Sequence, residues 1–184
     1  MRVLGISGSL RRASYNTALL RAAGMALLDD VDFEIYARLK EIPPYDPDDD
    51  HDPAVATVAH LRSAIAKADA VIFATPEYNS SVPGVLKNAV DWAARPLATN
   101  VLRNKPVTVV GVSTGMFGAV WAQAELRKVL AACGARVLAE ELPVGLAETK
   151  FDASGRLVDG DTARRLVEVV YGLVDELVPV ALVA

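Results

Sequence analysis

The chain has a single cysteine, Cys133, among its 184 residues. One thiol excludes an intramolecular disulfide and any Cys-x-x-Cys metal knuckle, and it points to a reducing, cytoplasmic setting. Histidine is nearly as scarce: His51 lies in an acidic loop and His60 on a polar helical stretch, so neither is an obvious general base. The Gly-x-Ser-x-Gly elbow of serine hydrolases is missing as well. Acidic residues outnumber basic ones, 23 to 19, for a formal charge of −4, and no segment repeats Lys or Arg at the spacing that several phosphate contacts need. Nucleic acid is therefore not expected as a partner. The one uncharged run of membrane length, residues 106–124, is broken by Pro106, Thr108, Ser113, Thr114, glycines and Gln123. A spanning helix needs about 20 predominantly apolar residues, so this run reads as strand, loop and helix start, with no membrane partner. At Met1-Arg2-Val3-Leu4 the chain enters a strand directly, without the pattern of a secretory leader.

Apolar residues make up 52% of the chain, and many fall in continuous runs at 2–6, 32–36, 70–75, 107–112 and 136–138. Such runs belong to parallel strands covered on both faces. Helical periodicity fills the intervals at 16–28, 54–68, 83–95, 119–133 and 162–177. Five strand–helix units predict one α/β domain over residues 1–184, a doubly wound five-stranded parallel sheet with helices on both faces. Local signals agree: Pro83 suits a first helical turn, Lys87 and Asp91 are four apart, and Gly134 suits a helix end. The acidic loop 46–53 lacks the Gly and terminal Glu of a calcium loop and reads as a solvated turn, so no metal site is expected. Trp92 and Trp121 occupy helical positions where aromatics serve a core or an interface.

In open parallel sheets, ligands bind beyond the carboxyl ends of the strands. The loop after the first strand, Ser7-Gly8-Ser9-Leu10-Arg11-Arg12-Ala13-Ser14-Tyr15-Asn16-Thr17, puts hydroxyls and two arginines just ahead of a helix. Helix N-terminal amides with guanidinium groups make a phosphate cradle. Neither the G-x-G-x-x-G fingerprint nor a G-K-[ST] loop is present, which favours a terminal monophosphate over a bridging pyrophosphate. The same loop also fits a plainer role, with Ser14 capping the helix and both arginines in solvent. After the third strand, Pro76-Glu77-Tyr78-Asn79-Ser80 offers either a rigid edge for a planar heterocycle or an ordinary turn with Tyr78 packed on the next helix. After the fourth, Ser113-Thr114-Gly115 leads to Met116-Phe117-Gly118-Ala119, a backbone that can approach a ligand closely or simply a flexible connection. Jointly the three loops suit one elongated ligand with a phosphate at one end and a flat ring at the other. With no evident protein acid or base, a cofactor should carry the chemistry.

Two stretches carry a resemblance: Gly8-Ser9-Leu10-Arg11 with Ser14 and Asn16, then Pro76-Glu77-Tyr78-Asn79 followed by Val82-Pro83-Gly84-Val85-Leu86-Lys87-Asn88-Ala89-Val90-Asp91-Trp92. They resemble the NADPH-dependent FMN reductase family, flavodoxin-like proteins that include bacterial quinone, chromate and azo-dye reductases. The resemblance implies a flavodoxin-like sheet of order 2-1-3-4-5. It implies FMN with its phosphate at Ser9, Leu10, Arg11, Ser14, Asn16 and Thr17, and its ring edge along Pro76, Glu77, Tyr78, Asn79 and Ser80. Ser113, Thr114 and Gly115 would close the pocket beside the ring. It further implies NADPH or NADH as donor, hydride transfer to flavin N5 without a catalytic side chain, and ping-pong delivery to a quinone, free flavin, azo compound or chromate. A homodimer or homotetramer is implied too, matching the apolar surplus of residues 166–184. Three departures concern the acceptor pocket and subunit contacts: Ala119 stands where much of the family has a second Gly, Ser80 where close relatives carry an aromatic, and Trp121 where they carry Arg. The resemblance therefore carries over the cofactor and not the acceptor. The rival reading is a flavodoxin-type electron carrier between proteins, for which a charge of −4 is mild.

Overall fold

The computed structural model describes residues 1–177; residues 178–184, the last seven of the apolar stretch 166–184 assigned above to a subunit contact, lie outside them. Strands β1 (Arg2–Ser7), β2 (Asp32–Ile35), β3 (Ala70–Ala74), β4 (Pro106–Val112) and β5 (Arg136–Val137) form a parallel sheet in the order β2-β1-β3-β4-β5. This is the flavodoxin-like order expected from the sequence. Every residue of β3 and β4 is buried, as continuous apolar runs require.

Alternation within the strands feeds two cores. Leu4, Ile6, Val71, Phe73, Val107 and Val109 face one side, against α2 (Ala56–Lys67), α3 (Gly84–Ala93) and α4 (Val120–Ala132). Val3, Ile72, Ala74, Val110 and Val112 face the other, against α1 (Tyr15–Ala26) and the last helix. Trp92 belongs to the first core, fully buried, and donates its indole N–H to Pro43 O at 2.9 Å. Asn88, one turn earlier, donates to the same carbonyl at 2.7 Å and accepts from Tyr45 N–H at 2.7 Å. The Asn88 and Trp92 side chains of the family-like run thus strap a loop to α3.

One expectation needs correcting. The fifth strand position is split: β5 pairs with the start of β4, and a sixth strand, β6 (Leu142–Val144), pairs with its end. After Leu138 N–H makes a last bond to Val107 O (2.9 Å), residues 139–141 leave the ladder, and Arg127 of α4 satisfies the break by donating to Ala139 O and Glu140 O, each at 3.2 Å. Pro143 is tolerated in β6 because the strand is at the sheet's edge. A short helix, α5 (Ala147–Lys150), follows, and α6 (Gly160–Asp175) begins two residues before its expected start because Asp159 caps it, accepting from Thr162 N–H at 2.9 Å.

The acidic loop folds on itself. Asp46 accepts from Asp48 N–H at 3.0 Å, and Asp50 pairs with Arg62 at 2.8 Å. Among the described residues, no group of three or more His, Cys, Asp or Glu is placed to hold a metal, and no helix is long and apolar enough to cross a membrane.

Candidate functional site

Three backbone bonds finish the ladders of the central strands and set three loops at one level: Gly8 N–H to Ala74 O (2.8 Å), Thr75 N–H to Val110 O (2.9 Å) and Ser113 N–H to Val144 O (3.0 Å). Between them lies a cleft of about 180 Å³. Ser9, Arg11, Ser14 and Asn16 line one end, Pro76, Glu77 and Tyr78 the wall, and Ser113 and Thr114 the far side. Of the residues expected at the site, Leu10, Thr17, Asn79, Ser80 and Gly115 lie on the same loops but outside this lining.

The first loop makes the helix cap of the plainer reading and also lines the cleft. Ser14 caps α1, accepting from Thr17 N–H at 3.2 Å, yet its side chain also lines the cleft. Asn16 is buried and locks α1 to the end of β4, its amide donating to Val112 O and accepting from Val112 N–H, both at 3.0 Å. Thr17 donates its hydroxyl to Ser7 Oγ at 2.9 Å. Arg11 is exposed and rests over the Tyr15 ring, 5.4 Å from its centroid, which holds the guanidinium near the cleft. Among the described residues, the backbone N–H groups of residues 10–14 donate to no protein acceptor. They form a nest of free donors at a helix start, suited to an anion.

The second loop is a tight hairpin. Tyr78 and Ser81 exchange backbone bonds of 3.1 and 3.2 Å, and the intervening Asn79 and Ser80 both have positive φ, 53° and 60°, as a type I′ turn requires. Tyr78 is 52% exposed, so it does not pack on the next helix as an ordinary turn would have it. Glu77 has a task no sequence signal revealed: its Oε2 accepts from Trp121 N–H (3.0 Å) and Ala122 N–H (3.1 Å), capping α4 from another loop. Glu125 of α4 reciprocates, accepting from Ser81 Oγ (2.6 Å) and Val82 N–H (3.2 Å). The Ser81 hydroxyl, then the Val82 amide, hold the Glu125 carboxyl below the usual range.

The third loop is fixed by close packing rather than flexible. A β-carbon on Gly118 would strike Val144 N, and Gly118 has φ +61°. Ala119 follows in the same left-handed region at φ 60°, where a glycine would rest without strain. Met116, Phe117 and Trp121 form an exposed apolar lip, with Phe117 edge-on to Trp121 at 5.1 Å. The i,i+4 spacing of Phe117 and Trp121 was visible in the sequence, but their exposure was not.

Among the described residues, no Cys or His lines the cleft. Cys133 lies away from it, in a hollow of about 580 Å³ near the α4 C-terminus. Burial, and then Asp91, push its thiol up, which disfavours the reactive thiolate.

With this geometry in view, a family model described as NADPH-dependent FMN reductase matches residues 1–149. An NAD(P)H-dependent FMN reductase of Pseudomonas aeruginosa is 43% identical over 169 residues, covering 91% of this chain and 90% of the relative. A 2-hydroxy-1,4-benzoquinone reductase of a Burkholderia species is 38% identical over 168 residues, covering 90% of each. Among solved structures, the flavoenzyme NAD(P)H:(acceptor) oxidoreductase FerB of Paracoccus denitrificans superposes with a TM-score of 0.86 at 34% identity, covering 96% of each chain.

Proposed function

The chain belongs to the NADPH-dependent FMN reductase family, and from that premise we propose that it is an NAD(P)H-dependent oxidoreductase working through FMN held across the three loops. The observation that carries this reading is the cleft itself, with a nest of free amides and Arg11 at one end and a Pro-bounded hairpin at the other. The phosphate would be held by Ser9, Leu10, Arg11, Ser14, Asn16 and Thr17. The ring would lie along Pro76, Glu77, Tyr78, Asn79 and Ser80, with Ser113, Thr114 and Gly115 beside it.

When bound, FMN would supply the redox chemistry, its N5 being the hydride acceptor for NADPH or NADH and the ring the electron source for a small acceptor such as a quinone, free flavin, azo compound or chromate. The chain's own residues bind and orient. Arg11 neutralises the phosphate, and the Glu77 and Glu125 clamps keep the hairpin at a fixed distance from α4. Glu77 serves the helix through its Oε2. Donor and acceptor would share one open face in turn, a ping-pong scheme within a single domain. The lip of Met116, Phe117 and Trp121 supports association of copies beside the cleft as a homodimer or homotetramer. The lone cysteine supports work in the cytoplasm.

The test is steady-state oxidation of NADPH and NADH by the FMN-loaded protein with a quinone and no partner protein. Sustained turnover is the expected result. Absence of turnover together with rapid one-electron exchange with a protein partner would instead favour a flavodoxin-type carrier.

A further inference from the structure

The first loop has a second side. Across it from the cleft lies a hollow of about 480 Å³, at the carboxyl ends of β1 and β2. Ser9 and Thr17 contribute hydroxyls to it, and Arg11, Arg12, Arg21 and Lys40 contribute charge. Among the described residues, no carboxylate lines it. Among the described residues, none of these four cations lies within ion-pair distance of a carboxylate, although the chain as a whole is acidic. Glu41, next to Lys40 in sequence, is spent on Arg38 at 2.6 Å. With Arg11 given to the FMN phosphate, Arg12, Arg21 and Lys40 still gather like charge without a counter-ion, which costs free energy, so the hollow is stabilised when a second anion enters. Ser9 and Arg11 line both this hollow and the cleft, so one extended molecule can reach from one to the other over the loop.

We infer that the basic hollow is a second anion site, which takes the 2′-phosphate on the adenosine end of NADPH while the nicotinamide end faces the cleft. The inference rests on the reductase reading above. A phosphate monoester carries a charge of about −1.5 to −2 and three acceptor oxygens, which match several guanidinium and ammonium donors at once. The bridging phosphates common to NADPH and NADH would not distinguish the two donors, whereas NADH presents only a hydroxyl where NADPH presents the monoester. The hollow thereby makes NADPH the preferred donor.

The test uses FMN-loaded protein, wild type and two variants, R12A/R21A and K40Q, all altered at exposed positions. Calorimetry with 2′,5′-ADP and with 5′-ADP reads the site without turnover, and steady-state kinetics read KM for NADPH and for NADH. The wild type should bind 2′,5′-ADP at least about 10-fold more tightly than 5′-ADP. In R12A/R21A that preference should vanish and KM for NADPH should rise roughly 10- to 100-fold, the scale of a lost charge-assisted contact. KM for NADH, kcat and flavin content should stay as in the wild type, with K40Q showing a smaller effect of the same kind. Equal binding of the two ADP isomers by the wild type would overturn the inference. A parallel rise in both KM values would also overturn it, assigning the arginines to the bridging phosphates, as would loss of FMN from the variants. A preference for 2′,5′-ADP without any NAD(P)H oxidation would overturn the reductase reading and support the anion site.

Discussion

Glu77→Ala removes the cap of a helix to which the residue does not belong. Helix α4 starts after Ala119, which has φ 60° and ψ 34° and no side-chain oxygen to offer. The amides of Trp121 and Ala122 therefore depend on Glu77 Oε2, at 3.0 and 3.1 Å. Loss of an N-cap costs about 1 kcal/mol, and loss of a carboxylate at the positive end of the helix dipole costs roughly 0.3–1 kcal/mol more. A total near 1.5 kcal/mol lowers Tm by roughly 3–6 °C in a domain of this size. Glu77→Gln keeps an acceptor oxygen and loses only the charge, so it should fall between the two. The assay is thermal unfolding of flavin-free protein followed by circular dichroism. Glu125→Ala and the double variant complete a cycle, and because both carboxylates join the same hairpin to the same helix, the double variant should lose less than the singles combined. If flavin-free Glu77→Ala melts within about 1 °C of the wild type while its FMN affinity collapses, the carboxylate serves the ring and the capping argument is wrong.

Other positions give independent checks. Ala119→Gly should raise Tm by roughly 2–4 °C, because it removes about 1 kcal/mol of left-handed strain; an unchanged or lower Tm would mean that the Ala119 methyl, which is buried, contributes as much as the strain costs. Among the described residues the buried Tyr36 hydroxyl meets no partner, so Tyr36→Phe should be neutral or stabilising by about 1 kcal/mol in chemical denaturation; a clear loss would reveal a further bond to that hydroxyl. The Thr162 hydroxyl, the Thr162 amide and Lys150 hold the Asp159 carboxyl at about 2, below its ordinary 3.8. A depressed carboxylate adds stability that is complete above its unfolded pKa and disappears as pH falls through the folded one. The stability gap between wild type and Asp159→Ala should hence be level above about pH 4 and shrink towards pH 2; a gap independent of pH would remove charge from the account of that cap.

The sheet was legible because β1, β3 and β4 are continuous apolar runs, a pattern that only double-sided burial produces. The break between β5 and β6 was not, since it depends on Arg127 reaching two carbonyls from α4. The loops announced themselves by composition, and the fold brings Ser9, Arg11, Pro76, Tyr78, Ser113 and Thr114 to one cleft. What composition could not convey is which polar groups are already spent. Asn16 is bound to a strand 96 residues away and Glu77 to a helix start 44 residues away. Asn88 and Trp92 likewise look like part of a functional motif, whereas their polar atoms meet Pro43, more than 40 residues earlier. Tyr15, which lines the cleft and lies under Arg11, was not legible as a site residue because both placements exist only once the helix has formed.

The central claim is that Ser9, Arg11, Ser14 and the free amides of the first loop recognise a flavin through its phosphate, and the most direct measurement compares the affinities of the flavin-free protein for FMN and for riboflavin by fluorescence titration. Free loop amides and Arg11 should together make FMN at least about 100-fold tighter, the scale of one or two charge-assisted bonds. Arg11→Ala should narrow that ratio by weakening FMN while leaving riboflavin affinity as it was. Equal affinities for the two flavins in the wild type would contradict the account.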